Sequence, residues 1–485
     1  MNTHLLALQL MAAQGCLGAF DTLYHHELTE ALPGRATARR ELAIHAVRAL
    51  IYSALFIGLS SWAFHGLWAV VVLLVFVVEI GLTLWDFVVE DRTRLLPATE
   101  RVTHTVLAMN GGAFIALLAL NAPQWLALPT AIVWQPNGAL GVFLALCGVG
   151  VGVSGIRDAL ASRALGRQDR LQESSEPAQA FGATGRSFLV TGATGFIGQR
   201  LVRALLRDGQ RVTVLTRQPR QAAWLFDGRV DCVDSMDQLP PSRRIDVIVN
   251  LAGARILGWR WTAARRAALR QSRVALTARV VDWIAQAEHK PALMLSGSAI
   301  GYYGVQPQGD DTVLTETAPP QPVFMSDLCR EWEEAAQRAS AHGVTVACLR
   351  FGLVLGRQGA LPMLLLPIRL GLGGPLGGGW QWQSWIHVDD VIGGMAHLCA
   401  NGAGAGGSYN FTAPESLTQA QFSRAAAKVL HRPYGLPTPG WPMRLALGEQ
   451  ADLLLEGQRV GPQRLLASGF VFRYPQLAPA LTSLA

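Results

Sequence analysis

The sequence predicts two fold classes in one chain. An all-α bundle of membrane-crossing length occupies residues 1–165, and an α/β doubly wound parallel sheet with a smaller C-terminal subdomain occupies residues 186–485. Three observations predict this. Charged residues make up 15% of the 485, against roughly 25% in an ordinary soluble protein, and the deficit falls in the first third. A glycine-rich turn, "TGATGFIG", stands at Thr191 to Gly198, between an apolar strand pattern and an amphipathic helix pattern. Between the two regions, residues 166–185 are polar, small and aperiodic, and read as a linker.

Five hydrophobic segments come first, at His4–Thr22, Leu42–Phe64, Leu67–Val89, Val102–Asn121 and Gly138–Ile156. Each is near the ~20 residues an α-helix needs to cross a bilayer core. Pro97 suits the start of the fourth helix, and Pro123, Pro129 and Pro136 break the connection to the fifth. No Lys or Arg precedes the first apolar stretch, so it does not read as a signal peptide.

The net charge is +7, and Lys290 and Lys428 are the only lysines. Arginines cluster in alternate connections: Arg35, Arg39, Arg40 and Arg48, then Arg92, Arg94 and Arg101, then Arg157, Arg163, Arg167 and Arg170. The connections around His65 and around Pro123 to Pro136 carry none. The positive-inside rule then places the N-terminus outside and everything after Arg157 in the cytoplasm. The expectation is a multi-pass protein of the inner (cytoplasmic) membrane, with the lipid bilayer as partner and room for a membrane-protein partner. No basic stripe interleaves with aromatics, which speaks against nucleic acid. The six cysteines form no CxxC pair, against a disulfide framework or a cysteine-ligated zinc.

Polar residues within these helices form pairs four apart: Asp21 and His25, Glu41 and His45, Asp86 and Glu90, Glu100 and His104. Each pair shares one helix face, and under the predicted topology all four sit at the cytoplasmic end. Glu79 lies two turns deeper than Asp86. A carboxylate inside a membrane is costly and points by default to function. Three readings fit. Carboxylates and histidines from four helices suit a two-metal site holding iron or manganese. His45 and His104 suit a haem or quinone site. The same groups also suit charge pairing with the flanking arginines and no cofactor.

After the linker, "SFLVTGATGFIGQRLVRALLRDGQRVTVLTR" reads as strand, glycine turn, helix and second strand, a Rossmann-like dinucleotide unit. Gly192 permits the tight turn, Gly195 admits a pyrophosphate, and Gly198 lets helix and strand pack closely. The turn offers Thr194, Phe196 and Ile197 beside these glycines, with the helix N-terminus favouring phosphate charge. Ala252, after the strand "IDVIVN", completes the candidate cofactor contacts. The second strand ends in Thr216, Arg217 and, further on, Arg220, with no acidic residue for the ribose hydroxyls of NAD. A guanidinium there accommodates a 2′-phosphate, so NADP(H) is expected over NAD.

Further marks are "NLAGA", "RWTAARRAALRQSRV", "SGSAIGYYG", "CREWE", "RFGLVLG", "QSWIHVDD", "YNFTAPE" and "GQRVGPQRLLASGFVFRYPQL". On these, residues 186–485 resemble the extended short-chain dehydrogenase/reductase superfamily, and within it the epimerase-like branch of nucleoside-diphosphate-sugar epimerase family proteins. The resemblance implies hydride transfer at a nicotinamide, a C-terminal substrate subdomain, and a Ser, a Tyr and a Lys four residues after the Tyr. Ser298 matches the Ser. Phe324 stands in the Tyr place and Leu328 in the Lys place. Tyr302 and Tyr303 are then the candidate phenols beside Ser298, and Asp327 and Glu331 the candidate polar groups on the following helix. Asp389 in "SWIHVDD" is expected to cap a helix, and Arg350 to meet an anionic substrate.

Two functional readings follow. One is a membrane-anchored NADP(H)-dependent oxidoreductase or epimerase-like enzyme acting on an unidentified small molecule, delivering reducing equivalents to a metal site in the bundle. The other is a catalytically atypical NADP(H)-binding module that regulates or scaffolds a membrane partner.

Overall fold

The computed structural model describes residues 3–29, 39–93, 98–175, 179–256 and 260–484. The chain divides into two compact units, Met1–Ser175 and Glu176–Ala485. Pro97, Arg35 and Arg94 lie outside the described residues.

The first unit is helical. Helix α1 (Thr3–Phe20) continues as a π-helical turn at Asp21–Thr29, and α2 (Arg39–Ser61), α3 (Leu67–Thr93), α4 (Ala98–Leu126) and α5 (Gly138–Ser175) follow. Five helical stretches are long and apolar enough to cross a membrane: Thr3–His25, Arg39–Ser61, Leu67–Asp91, Thr99–Leu126 and Gly138–Gly166. Their common core gathers Leu8, Met11, Phe56, Phe76, Phe114 and Leu144. Helix α5 lies close on α2 along a glycine stripe. A Cβ added at Gly141, Gly152 or Gly155 would stand 2.5 Å from the Ser60 carbonyl oxygen, 2.7 Å from Ser53 Oγ and 2.9 Å from Ala49 Cβ, respectively.

Two expectations need correction. Pro123 does not end its helix, because α4 runs on to Leu126. The turn beyond it is held in place: Trp125 packs edge-on against His4 at 5.9 Å, and its carbonyl accepts the Gly66 N–H at 2.8 Å. Likewise α5 continues to Ser175, so residues 166–175 are helix rather than linker. That stretch carries the good helix formers Gln, Arg, Leu and Glu and no proline, the next being Pro177. The connections without arginine also form an unforeseen element. Strands β1 (Trp62–His65) and β2 (Ala131–Trp134) pair antiparallel, with Trp62 opposite Trp134.

In the second unit, strands and helices alternate: β3 (Ser187–Thr191), α6 (Phe196–Arg207), β4 (Arg211–Leu215), α7 (Pro219–Leu225), β5 (Asp231–Val233), β6 (Val247–Asn250), α8 (Ala263–Arg270), α9 (Leu276–Gln286), β7 (Leu293–Ala299), α10 (Phe324–Gln337) and β8 (Thr345–Phe351). There follow β9 (Leu353–Leu355), α11 (Leu361–Arg369), β10 (Trp382–Gln383), β11 (Trp385–His387), α12 (Val388–Asn401), β12 (Gly407–Phe411), β13 (Leu417–Thr418) and α13 (Gln419–Val429). Seven strands form one parallel sheet in the order β12-β8-β7-β6-β3-β4-β5. The central strands, such as β6 with Val247–Asn250 all buried, lie between helical layers as a parallel sheet requires, while the edge strand β5 is partly exposed. The order reverses between β3 and β6, and doubly wound sheets bind ligands at the strand ends of such a switch point. The C-terminal subdomain has its own core around Leu361, Leu365, Trp385, Phe422, Leu477 and Leu481.

Candidate functional site

The glycine turn occupies the switch point. Gly192 sits at φ +70°, and a Cβ there would lie 2.7 Å from the Leu251 carbonyl carbon and oxygen, at the end of β6. Only glycine allows both the left-handed backbone and this approach. Gly195 donates its N–H to the Gly192 carbonyl at 3.0 Å and caps α6 without any side-chain hydrogen bond. The first-turn amides of α6 are therefore left without a side-chain cap, which is the local condition for holding a phosphate.

Around this turn, the carbonyl of Thr194 accepts the Gln199 side-chain amide at 2.8 Å. Phe196 packs against Gly356 and Gly359, where an added Cβ would meet the ring at 2.2 and 3.0 Å. Ile197 packs on the main core. Ala252 donates its N–H to Thr191 Oγ1 at 3.1 Å, and that hydroxyl donates to Asn250 Oδ1 at 2.7 Å. Arg217 and Arg220 are exposed just past β4, with no ion pair among the described residues. The sequence-expected cofactor residues thus converge on one edge.

The expected catalytic residues lie differently. Ser298, near the end of β7, is 3% exposed, and its hydroxyl donates to Glu333 Oε1 at 2.6 Å. Tyr303 is 1% exposed; it donates to Asn410 Oδ1 at 2.6 Å and accepts from Arg350 at 2.9 Å. Burial raises its pKa from the ordinary value. Tyr302 is half-buried, with the Arg350 guanidinium 3.5 Å above its ring centre. Arg350, expected to meet a substrate anion, is buried and joined to Glu333 by two hydrogen bonds of 2.8 Å. The Tyr and Lys places on α10 are apolar: Phe324 and Leu328 pack with Leu269, and the Arg266 and Arg270 guanidinia lie 4.8 and 5.3 Å from the Phe324 ring centre. Glu331 pairs with Arg270 at 2.9 Å and Asp327 with Arg330 at 3.4 Å.

The cap of α12 is also reassigned. His387 Nδ1, rather than the Asp389 carboxylate, accepts the Asp389 N–H at 3.1 Å, while Asp389 pairs with Arg200 at 2.6 Å. The other His387 nitrogen meets Ser483 Oγ at 3.2 Å. Burial, reinforced by Arg200 and Arg473, holds the His387 pKa down at about 3. The unfolded chain takes up a proton near pH 6.5 that the folded protein refuses. This group's full contribution is therefore present above pH ~6.5 and is lost as pH falls toward 3, by about 2 kcal/mol at pH 5. His387→Asn retains a capping acceptor. It should flatten the acid limb, read as the difference in thermal unfolding between pH 7.5 and pH 5.

One residue escaped the sequence reading. A π-helical turn, Gln271–Ala275, joins α8 to α9 and carries Arg273, which is 7% exposed. Its guanidinium donates to the Ala254 carbonyl at 2.9 Å, and a Cβ on Gly253 would stand 2.8 Å from it. No carboxylate pairs with it among the described residues, and burial lowers its pKa. A buried cation beside the chain leaving β6 is a candidate anion contact. The sequence signals were Gly253, whose missing side chain makes the room, and the place of Arg273 in the motif "RWTAARRAALRQSRV".

Comparison with known proteins places these features. The profile of the NAD dependent epimerase/dehydratase family matches residues 188–411, and that of a domain of unknown function (DUF1731) matches residues 438–484. The epimerase family protein YfhF of Bacillus subtilis is 37% identical over 303 residues, spanning 61% of this chain and 96% of that protein. The chloroplastic epimerase family protein SDR39U1 homolog of Arabidopsis thaliana is 37% identical over 302 residues, 61% of this chain and 85% of that one. The crystal structure of human epimerase family protein SDR39U1 with NADPH is 33% identical, with a TM-score of 0.55, over 61% of this chain and 98% of that one. A dTDP-glucose 4,6-dehydratase from Bacillus anthracis, in complex with NAD, shares the fold at 16% identity and a TM-score of 0.50, covering 62% of this chain and 95% of that one.

Proposed function

This chain belongs to the NAD dependent epimerase/dehydratase family, and from that premise we propose that it is a membrane-anchored, NADP(H)-dependent oxidoreductase or epimerase-like enzyme acting on a small molecule. The observation that carries the cofactor assignment is the α6 N-terminus, with no side-chain cap, facing a second strand that ends in two exposed arginines and no acid. The human relative binds NADPH, which supports the same choice. Arg217 and Arg220 are read as the 2′-phosphate contacts, and Gly192, Gly195 and Gly198 as the pyrophosphate cradle.

Membrane anchoring is supported by the outward faces of the first unit. Leu67, Leu74, Val77, Val78, Leu84 and Trp85 on α3 alone are each more than half exposed. Apolar surface on this scale is lipid-facing in character rather than that of a water-soluble bundle. The arginine asymmetry supports a cytoplasmic location for the nucleotide-binding unit. The reading stops at hydride transfer to a small molecule. Passing electrons to a one-electron centre in the first unit would need an intermediary such as a flavin.

A second reading, an NADP(H)-binding module without turnover, is favoured by the apolar Phe324 and Leu328 in the places of the proton-handling pair. One preparation separates the two. The full chain should resist carbonate extraction from membranes and bind NADPH at least ~10-fold more tightly than NADH. Arg217→Asp should reverse that preference by removing a phosphate contact and adding a ribose acceptor. Release of the chain by carbonate, or equal affinities that Arg217→Asp leaves unchanged, would overturn the first reading. NADPH binding without oxidation in the presence of any carbonyl or quinone acceptor would favour the second.

A further inference from the structure

We infer that the helical unit binds a divalent first-row transition-metal ion, iron(II) or manganese(II), through Glu41, His45 and Glu90. One ligand atom from each of these three side chains lies within 4.8 Å of the others. Donors on a common ion at about 2.1 Å stand roughly 3–4 Å apart, so small side-chain rotations complete the set. Glu41 and His45 present from successive turns of α2, and Glu90 faces them from α3. Glu41 is 0% exposed and Glu90 1%. Three ligands from two helices leave coordination positions open for water.

Further carboxylates and imidazoles surround these donors. His45 Nε2, which lies 3.7 Å from Glu90 Oε1, also lies 3.0 Å from Asp86 Oδ2, which Arg48 holds at 2.6 Å, so an ion bound at Nε2 would replace this contact and have Asp86 as a neighbouring carboxylate. The other oxygen of Asp86 is buried with no hydrogen-bond partner among the described residues. Glu90 Oε2 lies 3.3 Å from His104 Nδ1, and His104 Nε2 lies 3.1 Å from Asp21 Oδ2. Asp21 Oδ1 in turn meets His25 Nδ1 at 2.8 Å. A relay of carboxylates and imidazoles thus runs from the π-helical turn after α1, through α4, to Glu90. Such π-turns recur at functional sites.

The donor set narrows the ion. One imidazole and two carboxylates, with no thiolate, suit iron(II) or manganese(II) rather than copper(I) or a cluster. The same geometry disfavours a haem between His45 and His104. Both imidazoles approach the same Glu90 carboxylate, at 3.7 and 3.3 Å, so that side chain occupies the space a macrocycle would need. The site stands independently of the nucleotide reading, since every residue in it belongs to the first unit.

The test uses the full chain purified in detergent, stripped with chelator and titrated with manganese(II), then iron(II) under argon. Bound metal is counted by elemental analysis, and manganese(II) is examined by pulsed electron paramagnetic resonance. The expected result is about one equivalent per chain, with nitrogen modulation from an imidazole that His45→Gln abolishes. Glu41→Gln and Glu90→Gln should each weaken binding by at least tenfold, and Asp86→Asn, which removes a carboxylate charge beside His45 Nε2, should weaken it by roughly tenfold. Glu331→Gln, in the second unit, should change nothing. The wild-type measurement needs no variant to fold. Failure of monodisperse wild type to hold either ion, or binding that survives both Glu41→Gln and Glu90→Gln, would overturn the site.

Discussion

Replacing Gly198 by alanine is expected to weaken NADPH binding by roughly 10–100-fold while leaving the helical unit intact. The first helical turn of α6 carries Gly198 directly beneath the glycine turn. A Cβ at this position would stand 2.2 Å from the Gly192 carbonyl oxygen and 2.7 Å from Ala193 Cα. Both are backbone atoms, so no side-chain rotation relieves the contact. Either α6 withdraws from β3 or the turn opens, and either movement displaces the amides of the α6 N-terminus. Overpacking of this kind costs about 1–3 kcal/mol, and each 1.4 kcal/mol is a tenfold loss of affinity.

A neighbouring variant separates ligand contact from strain. Gly195 has φ −78°, which any residue adopts, and its added Cβ would meet only the Gly192 carbonyl oxygen, at 3.2 Å. Gly195→Ala should therefore leave thermal stability nearly unchanged. It should still lose NADPH affinity, because the methyl group stands where the pyrophosphate approaches. Fluorescence titration with NADPH, beside thermal unfolding, reads both effects. Unchanged affinity in both variants would mean that this turn holds no dinucleotide.

What the sequence disclosed and what it hid divide along physical lines. The cofactor turn was legible because its requirements are local: a positive φ at Gly192, close approach at Gly198, and a helix start with nothing to cap it. The helical pairs were legible from their spacing of four. Spacing does not say which helices meet, however, and the contacts of His104 with Asp21 and Glu90 cross between helices. The fate of Arg350 was hidden for the same reason. A lone arginine at a strand end looks like a substrate anchor until α10 brings Glu333 against it. The cap of α12 went to His387 because the helix starts at Val388, one residue before the expected cap, which leaves Asp389 in the first turn where its carboxylate pairs with Arg200. Helix α5 overran its expected end because local propensity, without a breaker, continued past the last apolar residue.

The second large effect concerns that hidden arginine. Glu333→Gln and Arg350→Met should each destabilise the nucleotide-binding unit by about 3–5 kcal/mol, because each leaves a buried charge without its partner. The side chains are 10% and 4% exposed, and their pairing is bidentate. Ser298 and Ser408 donate to the same carboxylate at 2.6 and 3.2 Å. Arg350 also reaches the Tyr303 hydroxyl, which donates to Asn410. The network therefore ties α10 to β7, β8 and β12, three neighbouring strands at one side of the sheet. Glu333→Gln combined with Arg350→Met should recover part of the loss, since removing both charges removes the uncompensated one. Ser298→Ala should cost only about 1 kcal/mol, because the arginine still satisfies the carboxylate oxygen it leaves. Turnover of Ser298→Ala then decides the role of this serine. Retained activity in a slightly less stable protein would assign it to the network that positions the strands. Loss of activity at unchanged NADPH affinity would mean that its hydroxyl leaves Glu333 during the reaction and works on the substrate.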